Sequence, residues 1–417
     1  MPTVVLIGTL DTKGREHLFM RDCLLAAGVD VVLVDIGVLA DPPVSPDVTA
    51  AEVAAAAGAS LDALRFTREG SDTRAVALAA MERGATSIVR RLHAQGRCDA
   101  MLGAAGSGGS TVISGVMRAM PLGMPKLLVS TMAASAAAFF GTRDITIMHS
   151  VTDIAGLNRV STMILRNAAR AVAGMVNGRE LTDGGGKPLV AITMFGVTTP
   201  GVLRVQERLE QAGFDTIVFH AVGSGGRAME QMIDDGLIDG VVDYTISELT
   251  DEHLGGVFGA GPDRLTAAGR RGLPQVVVPG AIEVLNFGPR ATVPRRFDVP
   301  ERRLIVHNPH VCAVRTTQSE AVELARILSG KLNRATGPTA VLLPLQGLDS
   351  YQQRPDGPFI DEEADAAFFA ELRRTLRPNI PCREEPLNIN HPVFADAVAE
   401  TFLTLWRERR DRPEAKP

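Results

Sequence analysis

Short runs of β-branched and aliphatic residues alternate along the chain with longer stretches whose apolar positions recur at helical spacing. Continuous apolar runs suit strands buried on both faces, and the helical period suits the elements that cover them, so the pattern predicts an α/β fold with parallel sheets. The first strands are predicted at Val4–Ile7, Val31–Val34, Ala100–Leu102, Lys126–Val129 and Ile145–Met148, with helices over Arg15–Ala27, Thr73–Ala94, Gly109–Met120 and Asn158–Val176. The run Asp183-Gly184-Gly185-Gly186-Lys187-Pro188 then breaks the series, because consecutive glycines lose too much backbone entropy for a helix or strand interior. The break sets a domain boundary, with residues 1–183 before it and 184–417 after it.

Beyond the boundary the order restarts with strand Leu189–Thr193, a loop at Gly196, helix Val202–Ala212 and strand Thr216–Phe219. The segment Leu24–Asp35 aligns without a gap with Leu209–His220, and Met124–Ser130 aligns with Leu273–Pro279 in the same order. Two ordered matches predict two similarly built, doubly wound parallel-sheet domains with a cleft between them, each offering ligand positions at the carboxyl ends of its strands. The Pro- and Arg-rich stretch Phe287–Arg303 has no period and reads as a long loop. Helices are expected over Ser319–Asn333, Asp361–Leu376 and Pro392–Arg407, a strand over Ala340–Leu343, and a frayed charged tail over Glu408–Pro417.

Composition narrows the function. The 417 residues are 45% hydrophobic and 22% charged, enough for a large core without metal or disulfide staples. The net charge of −5 is spread without a basic tract, so no nucleic acid and no membrane surface is expected as partner. One Trp and two Tyr also leave little for base stacking. The four cysteines lack Cys-x-x-Cys spacing and no His or Asp cluster has metal-ligand spacing, so no metal site is expected. With no signal-like amino terminus and no apolar run of bilayer length, the expected location is cytoplasmic.

The chemistry concentrates in loops between predicted strands and helices. Gly8-Thr9-Leu10-Asp11-Thr12-Lys13-Gly14 offers backbone N–H groups, hydroxyls and an ammonium where a helix dipole favours an anion. Gly103-Ala104-Ala105-Gly106-Ser107-Gly108-Gly109-Ser110-Thr111 suits a nest around phosphate or carboxylate, and Ser130–Ser135, with Thr131, follows the next strand. His149–Asp153 is similarly placed, Asp153 being able to meet a ribose, a magnesium ion or a helix start. In the second half, Gly196, Thr198 and Thr199 repeat the first loop's position. His220-Ala221-Val222-Gly223-Ser224-Gly225-Gly226-Arg227 combines an imidazole, a glycine turn and a guanidinium. Gly223, Gly226 and Arg227 are therefore ligand candidates there, and His220 with Glu248 are the candidates for proton transfer. Asn286, His307, His310 and Arg315 lie near other predicted strand ends.

Several of these motifs closely resemble the Tm-one-like ATP-binding family, bacterial proteins related to the amino-terminal domain of the tomato mosaic virus resistance protein. The resemblance covers about residues 3–405 and rests on Gly8–Lys13, Gly106–Gly109, Pro125-Lys126, Ser130-Thr131, Ser150–Ile154, Met194–Pro200, Val218–Ala221, Gly225–Glu230, Asn286–Pro289, Arg315–Thr317 and Lys331–Asn333. It implies two Rossmann-like subdomains, a homodimer, and ATP with Mg2+ in the first subdomain. Nucleotide contact is carried over to Gly8, Thr9, Asp11, Thr12, Lys13, Gly106, Ser107, Gly108, Gly109, Ser110 and Thr131. The chain departs from the family pattern at Ala105, where glycine is usual, and at Ala136-Ala137-Ala138, where polar residues with a glycine are usual. The expected function is nucleotide (ATP) binding by a regulatory or interaction protein whose biological role the sequence does not assign; the alternatives are a metabolic enzyme holding a phosphate- or carboxylate-bearing small-molecule substrate in the interdomain cleft, and a pure interaction scaffold.

Overall fold

In a computed structural model of the chain, residues 1–65, 71–135, 137–178, 186–353 and 356–410 are described. Asp183–Gly185 of the expected break, Ala136 of the alanine run and positions 411–417 of the charged tail lie outside them. The chain divides into two compact units, Met1–Thr182 and Asp183–Pro417.

Unit 1 is built on strands β1 (Thr3–Gly8), β2 (Asp30–Asp35), β3 (Ala100–Ala105), β4 (Lys126–Ser130) and β5 (Thr146–His149). All pair in parallel in the order β2-β1-β3-β4-β5. Its helices are α1 (Leu10–Ala26), α2 (Ala50–Ala56), α3 (Leu61–Arg65), α4 (Ser71–Ala94), α5 (Ser107–Arg118), α6 (Ala137–Phe140) and α7 (Arg159–Asn177). Successive strand side chains point to opposite faces, and β1 shows the result. Val4 and Leu6 join a buried cluster with Leu24 of α1 and Leu165 of α7. Val5 and Ile7 join another with Met81 of α4 and Ile113 of α5. Each fully buried Val or Leu contributes roughly 1.5–3 kcal/mol, so the two helical layers are held by the strands' uninterrupted apolar runs.

Helix starts differ from the sequence expectation. α1 begins at Leu10 rather than Arg15 and kinks at Lys13, whose φ of −130° and ψ of 27° leave the helical region. The first loop is therefore mostly a first helical turn. α5 starts at Ser107 rather than Gly109, directly after β3. α2 was not foreseen, although Thr49 and Glu52 form a reciprocal capping box at its start.

Unit 2 contains β6 (Leu189–Met194), β7 (Asp215–His220), β8 (Gly240–Thr245), β9 (Gln275–Gly280), β10 (Val284–Phe287), β11 (Leu304–Asn308), β12 (Val311–Arg315), β13 (Thr339–Pro344) and β14 (Cys382–Glu385). Its helices are α8 (Thr199–Gln211), α9 (Ser224–Asp234), α10 (Ser247–Leu254), α11 (Ala267–Arg270), α12 (Gln318–Leu332), α13 (Glu362–Thr375) and α14 (Pro392–Arg410). The main sheet is parallel and runs β14-β13-β9-β8-β6-β7. Read from the other edge, this is the order of unit 1 with one strand added. The aligned segments are thus α1 to β2 and α8 to β7, each turning through a glycine of positive φ, 76° at Gly28 and 93° at Gly213. Ile192 and Val242 pack with Leu209 of α8 and Phe402 of α14, while Val277 and Val341 pack on the other face with Leu324 of α12 and Phe368 of α13.

The main departure lies between β9 and β13, where β10, β12 and β11 form a separate antiparallel sheet. The expected Phe287–Arg303 loop connects β10 to β11 and carries two short 3₁₀ turns. No helix among the described residues is long and apolar enough to cross a membrane.

Candidate functional site

In unit 1 the chain leaves β1 toward β2 and returns across it to β3, so the carboxyl ends of β1 and β3 flank a topological switch point. Doubly wound sheets open a crevice there. A cavity of about 490 Å³ occupies this position, lined by Thr9, Asp11, Thr12 and Lys13 after β1 and by Gly106, Ser107, Gly108 and Gly109 at the start of α5. Gly106 is the N-cap of α5 and supplies no side-chain acceptor, so the first-turn N–H groups carry no side-chain cap. An uncapped helix start presents oriented donors and partial positive charge to whatever fills the cavity.

The expected contact residues separate into those that reach the cavity and those that support it. Gly8 is a packing glycine: a Cβ there would fall 2.0 Å from the His17 ring. Ser110 is fully buried, its hydroxyl 2.8 Å from that of Ser130 and bonded to the Ala105 carbonyl. The Thr9 and Thr12 hydroxyls bond each other at 3.1 Å. Asp11 accepts from the Leu39 N–H at 2.8 Å through Oδ2, and its buried Oδ1 has no protein partner. Lys13 donates to the Ile154 carbonyl at 2.7 Å, which fixes its ammonium at the cavity edge. Thr131 lines an adjoining depression of about 450 Å³ with Ser150 and Asp153, and the two spaces share Gly106 and Ser107. Ala105 ends β3, and its methyl lies 2.8 Å from where a Cβ on Gly109 would stand. The alanine is accommodated because position 109 has none.

Three features were missed from sequence. Arg65 and Arg74 add guanidinium groups to the cavity wall, Arg65 also pairing with Asp41 at 2.6 Å. Val38, Leu39, Leu64 and Leu78 form an apolar side to the same space. Asp35, at the carboxyl end of β2, stands where dinucleotide-binding folds keep a ribose ligand. Here it is 1% exposed and accepts from the N–H groups of Leu10 (3.0 Å) and Gly37 (2.8 Å) through Oδ1, sealing the start of α1 from inside. Burial pushes its carboxyl up to about 6 despite those bonds. An acid ending the second strand was the one readable signal; Arg65 lies on a five-residue helix and Arg74 near the start of a long one, where periodicity does not say what a polar side chain faces.

Unit 2 sorts its candidates differently. Glu248 is fully buried, accepts from the N–H groups of Gly223 (2.6 Å) and Gly226 (3.0 Å), and pairs with Arg264 at 2.7 Å. It is the carboxylate that caps α9 and belongs to a buried cluster with Arg264, Glu230 and Asp243. Gly226 has no room for a side chain because a Cβ would meet Glu248 at 2.2 Å, and Gly223 turns the chain at φ 81°. Arg227 donates to the Gly259 carbonyl at 2.7 Å. The Thr198 hydroxyl is buried against that of Thr245 at 2.7 Å, and Thr199 bonds the Phe195 carbonyl. Arg315 is buried and paired with Asp365, and the His310 N–H is held by Asn308. Gly196, His220, Asn286 and His307 instead come together around a cavity of about 260 Å³, with Phe195, Phe258 and Tyr351 among its other lining residues.

Two parallel sheets of one strand order, each flanked by helices, define a protein of two Rossmann-like α/β domains. Residues 2–181 match the N-terminal domain, and residues 187–406 the C-terminal domain, of the uncharacterised protein family UPF0261, and the chain belongs to that family. It is 41% identical to a UPF0261 protein of Clostridium tetani, over 97% of this chain and 99% of that one. A UPF0261 protein of Rhizobium meliloti is 42% identical over 97% of this chain and 99% of its own. The ToMV resistance protein Tm-1(GCR237) of Solanum lycopersicum is 37% identical over 82% of this chain, the match spanning 46% of the plant protein. Among solved structures, Acinetobacter baumannii MurG aligns over 97% of this chain and 100% of its own, with 11% identity and a TM-score of 0.21, too low for any conclusion.

Proposed function

We propose that unit 1 binds a nucleotide at the carboxyl edge of its sheet, with ATP as the ligand that the family resemblance suggests. The observation that carries this reading is the uncapped start of α5 opening on a cavity that also has Lys13, Arg65 and Arg74 on its wall. Phosphate oxygens meet backbone N–H donors and the dipole at the helix start, and the arginines add charge and forked donors. The apolar side formed by Val38, Leu39, Leu64 and Leu78 suits the flat face of a base. Asp11 lines the same cavity with one carboxylate oxygen unengaged by protein, which fits a magnesium ion accompanying the phosphates. The residues present therefore fit the group. What binding accomplishes follows from where it acts: a ligand held by the ends of β1, β2 and β3 steadies α1, α3, α4 and α5 together, as a regulatory ligand would.

Between the two proton-transfer candidates, the geometry favours His220, which lines a cavity, over Glu248, whose oxygens accept from Arg264 and two backbone donors.

Ser107→Pro tests the site directly. Position 107 is the first residue of α5, where proline's fixed φ suits the helix and its missing N–H removes one donor, and Gly106 has the extended backbone that proline requires before it. The variant is expected to fold normally and to bind ATP with magnesium about tenfold or more weakly, the worth of one charge-assisted hydrogen bond. Arg74→Ala is expected to weaken binding by a similar factor. Titration calorimetry and thermal shift check both; a wild-type protein that ATP fails to stabilise at millimolar concentration refutes the reading.

A further inference from the structure

We propose that the aromatic cavity of unit 2 is a second binding site, for an uncharged single-ring aromatic compound carrying one hydrogen-bonding substituent such as a phenolic hydroxyl. The cavity, about 260 Å³, forms where the inserted sheet β10-β12-β11 meets the carboxyl ends of β6 and β7. Val311 and Ala313, two residues apart on β12, present one face of that strand to it. The insert is thus what closes the space.

The lining defines the ligand. Phe195 lies 5.7 Å from the His220 ring in a tilted arrangement and meets Phe258 edge to face at 6.3 Å. Tyr351 is edge-on to His307 at 6.5 Å. Rings in such arrangements favour another ring between or beside them, and the volume suits one ring with a small substituent. The described lining residues include no Lys, Arg, Asp or Glu, so no permanently charged side chain there offsets a phosphate or carboxylate. The nucleotide cavity of unit 1, with three cations, is chemically opposite.

Directional groups are nonetheless present. The Tyr351 hydroxyl and His307 Nδ1 are 2.9 Å apart, which fixes the imidazole and leaves Nε2 as the nitrogen able to meet a ligand. Asn286 is held by Asp251 through both its backbone N–H (2.6 Å) and Nδ2 (3.0 Å), so its amide is pinned beside the cavity. A hydroxyl on the ring can donate to or accept from these groups without charge.

The test uses fluorine NMR of para-fluorophenol with the full chain. Saturable binding that ATP does not displace is expected. Gly196→Phe fills the space with little risk to folding, since an added Cβ there meets no atom within 4 Å. It is expected to weaken binding by about tenfold or more, and His307→Ala, at an exposed position, by about five- to tenfold. Para-fluorobenzoate is expected to bind at least about tenfold more weakly than the phenol, because no permanent cation lines the cavity to offset its charge. Absence of saturable binding to the wild type, equal affinity in Gly196→Phe, displacement by ATP, or benzoate binding as tightly as the phenol overturns the proposal. Because the site makes no use of the nucleotide cavity, its failure and that of ATP binding are separate results.

Discussion

Asp35 and His220 end the second strand of their respective units and occupy equivalent positions in the aligned segments, yet they do opposite things. Asp35 is turned inward to the backbone of Leu10 and Gly37, whereas His220 is exposed and lines a cavity. The buried carboxyl has a measurable consequence. An aspartate titrates near ~3.9 in an unfolded chain, and Asp35 is pushed up to about 6 in the folded one. Between those values the folded state holds the extra proton, so this group's contribution makes stability fall as pH rises through that window. Its cost is absent below about pH 4 and complete above about pH 6. Both N–H bonds go to Oδ1, an oxygen that Asn would retain. Asp35→Asn should therefore be stabilised by about 2 kcal/mol at pH 8, with the advantage vanishing near pH 4. Urea unfolding at the two pH values checks this; an unchanged difference would be incompatible with a titrating Asp35. At this scale the sequence showed residue types but not their orientation. Ser110 and Glu248 looked as available as Ser107 and His220, and only packing separates them.

Among the elements, α9, α10 and the segment before α11 are tied by one buried ion cluster rather than by apolar contact alone. The Arg264 guanidinium contacts Glu248 of α10, Glu230 of α9 and Asp243 of β8. Glu230 in turn accepts from the N–H groups of Leu265, Thr266 and Ala267 at the start of α11. Removing the single cation strands three carboxylates without water, so Arg264→Met is expected to destabilise unit 2 by about 3–5 kcal/mol. Chemical denaturation followed by circular dichroism measures it, and a loss below ~1 kcal/mol would show that the cluster relaxes. The elements themselves were well marked where periodicity is long. α7 runs over Arg159–Asn177 against an expected Asn158–Val176, with Asn158 as the observed cap. The antiparallel insert was illegible because its strands are short, and β11 alternates poorly, with His307 and Asn308 exposed and a register shift after Val306.

At the level of the whole chain, the buried clusters of unit 1 contain only residues of unit 1, and those of unit 2 only residues of unit 2. Each half thus owns a complete core, as an independently folding domain does. A chain ending at Gly186 is expected to fold cooperatively and to keep the full ATP-induced thermal shift; loss of that shift in a folded fragment would place part of the nucleotide site elsewhere. The repeat that revealed the two halves was legible because a helix, a glycine of positive φ and a strand must follow one another in both. The two cavities were not, since their walls come from α3 and α4 in one case and from the insert in the other. The uncapped start of α5 also sets how the cavity of unit 1 can change over generations, in contrast to that of unit 2. A site made of main-chain N–H groups persists through most substitutions, whereas one walled by Phe195, Phe258 and Tyr351 can be rewritten a side chain at a time. Among relatives of this chain, the first unit should be conservative in what it holds and the second free to diversify.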